Sequence, residues 1–159
     1  MKKSILPCGK NPNPLFLTRM YPDKFHIEIT KKSPWIVLEQ GRIFIMGRSI
    51  IENPAKFYDQ VHYWIAAYAK DWKGKTRIDL GFEYINTGST KWLYMLLREM
   101  MEVCRNPGET IITWYYEAGD EDMKELGSII KSLLKGCFSI VMVKNMNEKY
   151  YKSILAEPV

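Results

Sequence analysis

Between residues 35 and 143 the chain alternates short β-rich runs with longer stretches whose apolar residues recur at helical spacing. Two strand signals come first, and three helix–strand pairs follow them. Strands that alternate with helices usually pair in parallel, because each helix carries the chain back to the start of the next strand. The sequence therefore predicts an α/β fold with a mixed sheet, in the order β-β-α-β-α-β-α-β.

The strand signals differ in what they say about burial. Gln40 and Gly41 separate the first two strands and predict a tight turn, so these strands should form an antiparallel hairpin. In the third strand apolar and polar residues alternate, which predicts one face packed under helices and another face that carries Asp79 and Glu83. The predicted strands cover residues 35–39, 42–46, 76–85, 110–116 and 137–143.

Three amphipathic helices are predicted between these strands. Asn53 can cap the first helix, and Pro54 suits the first helical position, where its missing N–H group costs nothing. The second helix should begin near Ser89, and the third begins at a run of acids from Asp120 that complements the helix dipole. Each of the three carries an apolar stripe with a period near 3.6 residues.

The two ends of the chain have a different character from its middle. Residues 1–33 are rich in proline and predict an irregular N-terminal extension, with a short strand at residues 25–29. Residues 34–144 form the predicted α/β domain. Residues 145–159 form a C-terminal tail whose tyrosines and aliphatic residues can pack as a short helix.

Composition narrows the classes of function. The chain has 159 residues with 47% hydrophobic and 26% charged residues, which is typical of one globular domain. No apolar run approaches the ~20 residues that span a bilayer, and no secretory signal follows the first lysines, so we expect a soluble, cytoplasmic protein. The net charge of +5 leaves a nucleic-acid-binding module as an alternative, although acidic residues interleave the lysines.

Cysteine and histidine usage gives no sign of a metal or cofactor site. The three cysteines, Cys8, Cys104 and Cys137, include no C-x-x-C pair, and this sparse, odd count fits a reducing compartment. His26 and His62 lie far apart in sequence. We therefore predict no metal or cofactor, and we interpret Cys104 and Cys137 as small buried side chains.

Function in open α/β sheets gathers at the carboxyl ends of parallel strands. These ends lie after residues 85, 116 and 143. The first junction reads Asn86, Thr87, Gly88, Ser89 and Thr90, and it leads directly into a helix. A helix N-terminus holds free N–H groups and a partial positive charge, so it accommodates a phosphate group. We expect the Thr87 hydroxyl to face solvent, while Ser89 or Thr90 caps the helix; plain capping without modification is the alternative.

Support for catalysis is weak. The chain has neither a G-x-S-x-G nucleophile elbow nor a glycine-rich phosphate-binding loop. Asp79 with Glu83, or the acids from Asp120 to Asp122, are candidate carboxylate pairs for a small hydrolase. A solvated strand face and acids at a helix start explain both groups better, so we predict that the protein is not an enzyme.

Three blocks of the sequence resemble the SiaC family of bacterial regulatory phosphoproteins. They lie in the family's order and cover residues 47–54, 79–93 and 114–123. The resemblance implies a mixed sheet similar to the STAS domain of anti-anti-sigma factors. It also implies that Thr87 is the phosphorylated residue, with Asn86, Gly88, Ser89 and Thr90 as its surroundings. Gly88 departs from the family pattern, and a looser turn there would move the modification to Ser89 or Thr90.

The same resemblance implies a set of partners. These are a Ser/Thr protein kinase, a PP2C-type phosphatase and a diguanylate cyclase that the unphosphorylated form activates in the control of biofilm formation. We interpret the chain as a charge switch, in which phosphorylation places ~1.5–2 negative charges in a partner-binding surface. Trp92 and Tyr116 are candidate anchors for the partner, with core packing as the alternative for each.

Overall fold

A computed structural model describes residues 21–105, 110–134 and 137–159 of the chain. The strands are β1 (Lys24–Ile27), β2 (Trp35–Glu39), β3 (Arg42–Ser49), β4 (Arg77–Ile85), β5 (Ile111–Glu117) and β6 (Phe138–Val143). The helices are α1 (Pro54–Asp71), α2 (Thr87–Val103), α3 (Glu121–Leu134) and α4 (Glu148–Ala156). None of these four helices combines the length and the apolar character needed to cross a bilayer.

The six strands form one mixed sheet in the order β1-β2-β3-β4-β5-β6. The first three strands pair antiparallel, and the last four pair parallel. Strand order follows chain order, so each crossover advances by one strand in the same direction. Crossovers of one hand then place α1, α2 and α3 together on one face of the sheet, and their apolar residues share one core. The predicted α/β fold with a mixed sheet is confirmed.

The N-terminal hairpin is present and is longer than predicted. Gly41 adopts a positive φ of 80° in the turn, a conformation that glycine reaches without strain. β3 continues to Ser49, past an irregularity in pairing between Gly47 and Arg48. The added residues of β3 reach the junction between β4 and α2, where the carbonyl of Ser49 accepts a hydrogen bond from the N–H of Asn86.

The described end of the N-terminal extension is ordered into the fold. β1 adds to the sheet beside β2, so the short strand predicted at residues 25–29 is present, at Lys24–Ile27. Tyr21 is buried against Trp64 and Tyr68, and the indole N–H of Trp64 donates to the carbonyl of Pro22. The rest of the predicted extension, residues 1–20, lies outside the described residues.

The start of α1 follows the prediction. The Asn53 side chain accepts a hydrogen bond from the N–H of Lys56, and Pro54 occupies the first helical position. The helix packs extensively on α2 and on the sheet. Its buried residues are Tyr58, Val61, Trp64, Ile65, Tyr68 and Ala69.

The second face of the sheet is covered by α4. The predicted tail helix packs Tyr151 and Ile154 onto a smaller apolar cluster with Phe44 and Met46. The Arg42 guanidinium donates to the carbonyls of Leu155 and Glu157, beyond which the chain continues over the same face. The face that carries Asp79 and Glu83 is therefore covered, where the sequence predicted a solvated one.

Candidate functional site

Asn86 organises the junction between β4 and α2. Its side-chain oxygen accepts a hydrogen bond from the N–H of Ser89 at 2.9 Å, and its side-chain nitrogen donates to the carbonyl of Ile51 at 3.0 Å. Its backbone N–H donates to Ser49. Asn86 is thus the N-cap of α2, and it ties the start of this helix to the end of β3 and to the entry of α1. The prediction that Ser89 or Thr90 caps the helix was wrong.

Thr87 is the first residue of α2 and is exposed to solvent, as predicted. The first N–H groups of a helix have no acceptor within the helix, and one of these early donors, that of Ser89, already bonds the Asn86 side chain. The N–H groups of Thr87 and Gly88 come before it. An anion on the Thr87 hydroxyl would lie at the positive end of the helix dipole.

The two alternative hydroxyls are in different environments. Ser89 is fully buried, and its hydroxyl has no hydrogen-bond partner among the residues that the structure describes. The Thr90 hydroxyl is half-buried and donates to the carbonyl of Asn86 at 3.1 Å. Of the three hydroxyl-bearing side chains at this junction, that of Thr87 is the one exposed to solvent.

Gly88 has a packing role at this site. It lies inside the first turn of α2, with no positive φ, so the expected loose turn is absent. A Cβ atom on Gly88 would come within 3.0 Å of Cγ of Pro54. The lack of a side chain therefore lets the N-termini of α1 and α2 approach each other at one edge of the sheet.

The predicted aromatic anchors are not the exposed ones. Tyr116 is buried, and Trp92 is half-buried with its ring packed edge-on against His62. Tyr84, near the end of β4, and Tyr94, two turns into α2, are instead 54% and 44% exposed. Tyr94 lies seven residues after Thr87, so the two residues share one face of α2. This spacing is the sequence signal that could have identified Tyr94 as an exposed aromatic residue on the Thr87 face.

Asp79 and Glu83, the candidate carboxylate pair for hydrolysis, each bond to different side chains of the fold. Asp79 is 1% exposed, and it accepts hydrogen bonds from the Arg77 guanidinium at 2.7 Å and from the Tyr115 hydroxyl at 2.8 Å. Glu83 accepts a hydrogen bond from Tyr151 of α4. Burial and the neighbouring Asp79 carboxylate raise the pKa of Tyr115, which keeps its hydroxyl protonated as a donor.

The acids at the start of α3 also have a structural role. The Asp120 side chain accepts a hydrogen bond from the N–H of Met123 and so takes the position of an N-cap. Glu121 pairs with Lys124 on the helix surface. These contacts agree with the interpretation of the acids as helix-start residues.

Cys104 and Cys137 are both buried, free thiols, as predicted from the sequence. The hydrogen bond between the two thiols lowers the pKa of Cys137, and the same bond together with burial raises the pKa of Cys104. The position of Cys8 lies outside the described residues.

The two histidines do not come together. His26 accepts a hydrogen bond from the indole N–H of Trp35, whereas His62 lies 3.3 Å from the carboxylate of Glu99. Among residues 21–105, 110–134 and 137–159, no group of three or more His, Cys, Asp or Glu side chains is placed to hold a metal ion.

The sequence matches a known protein family and a protein of similar sequence. Residues 27–143 match the SiaC family of regulatory phosphoproteins. The chain is 29% identical over 104 residues to an uncharacterized protein of Pseudomonas aeruginosa strain UCBPP-PA14, a match that covers 64% of this chain and 82% of the relative.

Two solved structures from Pseudomonas aeruginosa show the same fold. The first is SiaC, with a TM-score of 0.67, 24% identity, and coverage of 76% of this chain and 98% of that chain. The second is the diguanylate cyclase SiaD in complex with its activator SiaC, with a TM-score of 0.68, 26% identity, and coverage of 75% and 99%. By its family match over most of its length, this chain belongs to the SiaC family of regulatory phosphoproteins.

Proposed function

We propose that this protein is a non-enzymatic signalling switch, controlled by reversible phosphorylation of Thr87. The observation that carries the proposal is the position of Thr87: it is the exposed hydroxyl at the N-terminus of α2, whereas Ser89 is buried and Thr90 is hydrogen-bonded. Family membership supports a regulatory phosphoprotein.

Phosphorylation at this position changes the charge of a defined surface. The phosphate adds ~1.5–2 negative charges and three acceptor oxygens. The dipole of α2 favours this charge at its N-terminus, and Lys91 lies one turn away on the same helix face. The modification is therefore compatible with the fold, and its effect falls on whatever protein binds this face.

The proposed partners act on the two forms. A Ser/Thr protein kinase and a PP2C-type phosphatase add and remove the phosphate, and the unphosphorylated form binds and activates a diguanylate cyclase in the bacterial cytoplasm. Support for the cyclase comes from SiaC of Pseudomonas aeruginosa, which forms a complex with the diguanylate cyclase SiaD as its activator.

Mass analysis of the protein isolated from its native cells tests the modification. We expect one phosphoryl group on Thr87, which the Thr87→Ala variant lacks. The Thr90→Ala variant is the matched control, because it removes a neighbouring hydroxyl and should keep the phosphorylated species. A phosphoryl group located on Ser89 or Thr90, or none under several growth conditions, would contradict the proposal.

Binding to the cognate diguanylate cyclase tests the switch itself. Thr87→Ala should bind as the unphosphorylated protein does, and Thr87→Glu should bind at least ~10-fold more weakly, since a charge left unpaired in an interface costs more than 1.4 kcal/mol. Equal affinities of the two variants, measured by calorimetry, would argue against a charge switch.

The nucleic-acid-binding alternative gains no support from the described surface. Several exposed lysines pair with carboxylates, as in the contacts of Lys124 with Glu121 and of Lys152 with Glu148. A nucleic-acid module would bind oligonucleotides with an affinity that falls steeply with salt concentration.

A further inference from the structure

The sheet ends in two edge strands, and these edges differ in how they are protected. β1 has four residues, begins with Lys24 and is preceded by Pro22. β6 has six residues, Phe138–Val143, and contains neither a charged residue nor proline. Short length, charged side chains and proline are the usual features that keep an edge strand from pairing with another chain. β6 has none of these features, so it is the edge at which a further strand can pair.

The main chain of β6 has hydrogen-bonding groups that point away from the sheet. The carbonyls of Cys137 and Val143 accept hydrogen bonds from the N–H groups of Ile112 and Ala118 on the β5 side. Because backbone groups alternate in direction along a strand, Ile140 and Met142 direct their N–H and C=O groups outward. Among residues 21–105, 110–134 and 137–159, none forms a hydrogen bond with these outward groups.

The side chains of this edge include an exposed apolar one. Phe138 and Ile140 pack with the core under the three helices, whereas Val141 packs with the cluster on the other face. By this alternation the side chain of Met142 lies on the helix-covered face. It is 62% exposed, the largest fraction among the large apolar side chains that the structure describes. A strand bound at β6 would cover it.

The flank of this edge on the helix-covered face is basic. On α3, Leu133 lines a groove toward α2, and Lys131 lies roughly 160° from it around the helix, on the side of the β6 edge. Lys131 is exposed, as is Lys144 directly after β6. Neither lysine forms an ion pair with another described residue, whereas Lys124, on the same side of α3, pairs with Glu121. Two cations without partners therefore stand near the two ends of the strand.

We propose that the β6 edge binds an extended, acidic segment of a partner protein, which joins the sheet as a seventh strand. The backbone of the segment would bond the outward groups of Ile140 and Met142, which recur every ~6.6 Å as in any extended chain. An apolar side chain would cover Met142, and carboxylates would meet Lys131 and Lys144. In strand addition the main-chain hydrogen bonds supply affinity and the side-chain contacts supply specificity.

The charges select this occupant over a second copy of the chain. Pairing of β6 with β6 would bring the lysines at the edges of two copies together, and the strand itself has no carboxylate to offer them. Like charges that face each other across a strand pair are unfavourable. A helix is excluded as the occupant because its own backbone groups are bonded within the helix.

The inference goes beyond the proposed switch and does not depend on it. Thr87 lies on α2, and α3 lies between that helix and the β6 edge. A segment bound at β6 would leave Thr87 uncovered, so the protein could hold this segment in either phosphorylation state.

Two synthetic peptides test the edge. The probe is a labelled peptide of about eight residues in which valine and glutamate alternate, and the control peptide has lysine in place of each glutamate. In fluorescence anisotropy we expect saturable binding of the acidic peptide with a Kd below ~1 mM, and at least ~10-fold weaker binding of the basic one. No saturable binding of the acidic peptide, or equal binding of both, would overturn the proposal.

Substitutions at Met142 separate backbone pairing from apolar contact. Met142→Pro removes an N–H group that β5 does not use, and proline is tolerated at such outward positions of an edge strand. It should weaken the acidic peptide at least ~10-fold, while the matched control Met142→Ala keeps the N–H group and should cost less than ~3-fold. Urea denaturation checks that both variants are folded. Equal affinities of the two folded variants would rule out strand addition.

Amide hydrogen exchange of the wild type gives a readout that needs no variant. Bound peptide should slow the exchange of the Ile140 and Met142 N–H groups at least ~10-fold, because these groups become hydrogen-bonded. The N–H group of Thr87 is the control and should exchange as in the free protein. Unchanged exchange at Ile140 and Met142 in the presence of saturating peptide would refute the pairing.

Charge variants test the basic flank and separate this site from the switch. Lys131→Glu should weaken the acidic peptide at least ~5-fold, whereas Lys70→Glu, at an exposed lysine in the last turn of α1, should change its affinity less than ~2-fold. Equal effects of the two would overturn the charge selection. Thr87→Glu should bind the peptide like the wild type, even if the charge switch itself fails.

Two further outcomes would overturn the proposal. A ~10-fold loss of peptide affinity in Thr87→Glu would place the peptide at the N-terminus of α2 instead of at β6. In sedimentation without peptide, a dimer that Met142→Pro dissociates would identify a second copy of the chain as the occupant of the edge.

Discussion

The two faces of the sheet are stabilised in different ways. Three helices cover one face and share a continuous apolar core with β2 to β6. On the other face a nine-residue helix, α4, covers a smaller apolar cluster. Beside that cluster lie two buried charged side chains: Arg42, which donates to the carbonyls of Leu155 and Glu157, and Asp79, which accepts from Arg77.

The comparison of the two faces shows how α4 and the residues after it are held in place although they bury little apolar surface. Burial of apolar surface stabilises in proportion to area but sets no direction. Hydrogen bonds and ion pairs set direction, because they require particular distances and angles between donor and acceptor. Arg42 and Arg77 bond the carbonyls and the carboxylate of the tail. On this face, polar contacts therefore decide where α4 and the tail lie.

Adjacent residues of β3 allow a direct test of this contrast. Ile45 and Met46 are both fully buried, and Ile45 faces the three helices while Met46 faces α4. Truncation to alanine should lower the free energy of unfolding by ~4 kcal/mol at Ile45 and by ~2 kcal/mol at Met46, because a nine-residue helix can settle into the cavity more easily than three packed helices. Urea denaturation measures both.

Ile111→Ala is the control for these truncations, since Ile111 is 55% exposed and the change should cost less than ~0.5 kcal/mol. An equal loss at Ile45 and Met46 would mean that the two faces are equally rigid, and the contrast would not hold.

The polar network of the second face should be sensitive to loss of one partner. Arg77→Met leaves the buried Asp79 carboxylate with the Tyr115 hydroxyl as its remaining hydrogen-bond partner among the described residues, and removes the ion pair with Glu157. We expect a loss of ~3 kcal/mol in unfolding free energy, because an uncompensated buried charge is unfavourable.

The matched control is Arg105→Met, which breaks the surface ion pair with Glu102 and should cost less than ~0.5 kcal/mol. Thermal unfolding of both variants measures the difference. If Arg77→Met were no more destabilising than Arg105→Met, the contacts of Arg77 would add nothing to the stability of this face.

Alkaline pH should weaken the second face through its tyrosines. Burial and nearby carboxylates raise the pKa of Tyr115 and Tyr151 above the ordinary value of about 10. A raised folded-state pKa gives stability that is fully present below pH ~10 and is lost as pH rises toward the folded-state pKa, by ~1.4 kcal/mol per pH unit for each tyrosine. On the helix face, burial raises the pKa of Tyr58 to about 12.

Urea midpoints between pH 9 and 11 test this dependence. The unfolding free energy of Tyr115→Phe should fall less steeply with pH than that of the wild type over this range, because the variant lacks one of the tyrosine hydroxyls whose pKa is raised by folding. Tyr63→Phe is the control, because Tyr63 is 57% exposed and should leave the slope unchanged. Identical slopes for Tyr115→Phe and the wild type would show that this hydroxyl does not couple folding to pH.

The candidate site lies on the face with the larger core, and this location has a physical basis. Thr87 stands on a helix whose opposite side is anchored by Leu93, Leu96 and Leu97 in the core. A rigid helix holds a modified residue and its neighbouring charges at fixed positions. α4 has nine residues and offers a partner a smaller support.

Local sequence patterns predicted most of the elements and the exposure of Thr87 at the candidate site. The turn at Gln40 and Gly41, the start of α1 at Asn53 and Pro54, and the exposure of Thr87 all follow from short-range chemistry. The cap of α2 was missed because an asparagine, a serine and a threonine compete within five residues, and the choice depends on the bond from Asn86 to Ile51.

What the sequence alone determined is the set of elements and the side of each element that is apolar, since both depend on neighbours within a few residues. The tertiary structure alone decided which polar side chains are buried and which apolar ones stay exposed. Tyr151 reaches Glu83 across 68 positions, and a groove between α2 and α3 brings side chains of these two helices together. Periodicity carries no information about such distant partners, because burial depends on what the folded chain brings to the other side of a strand or helix.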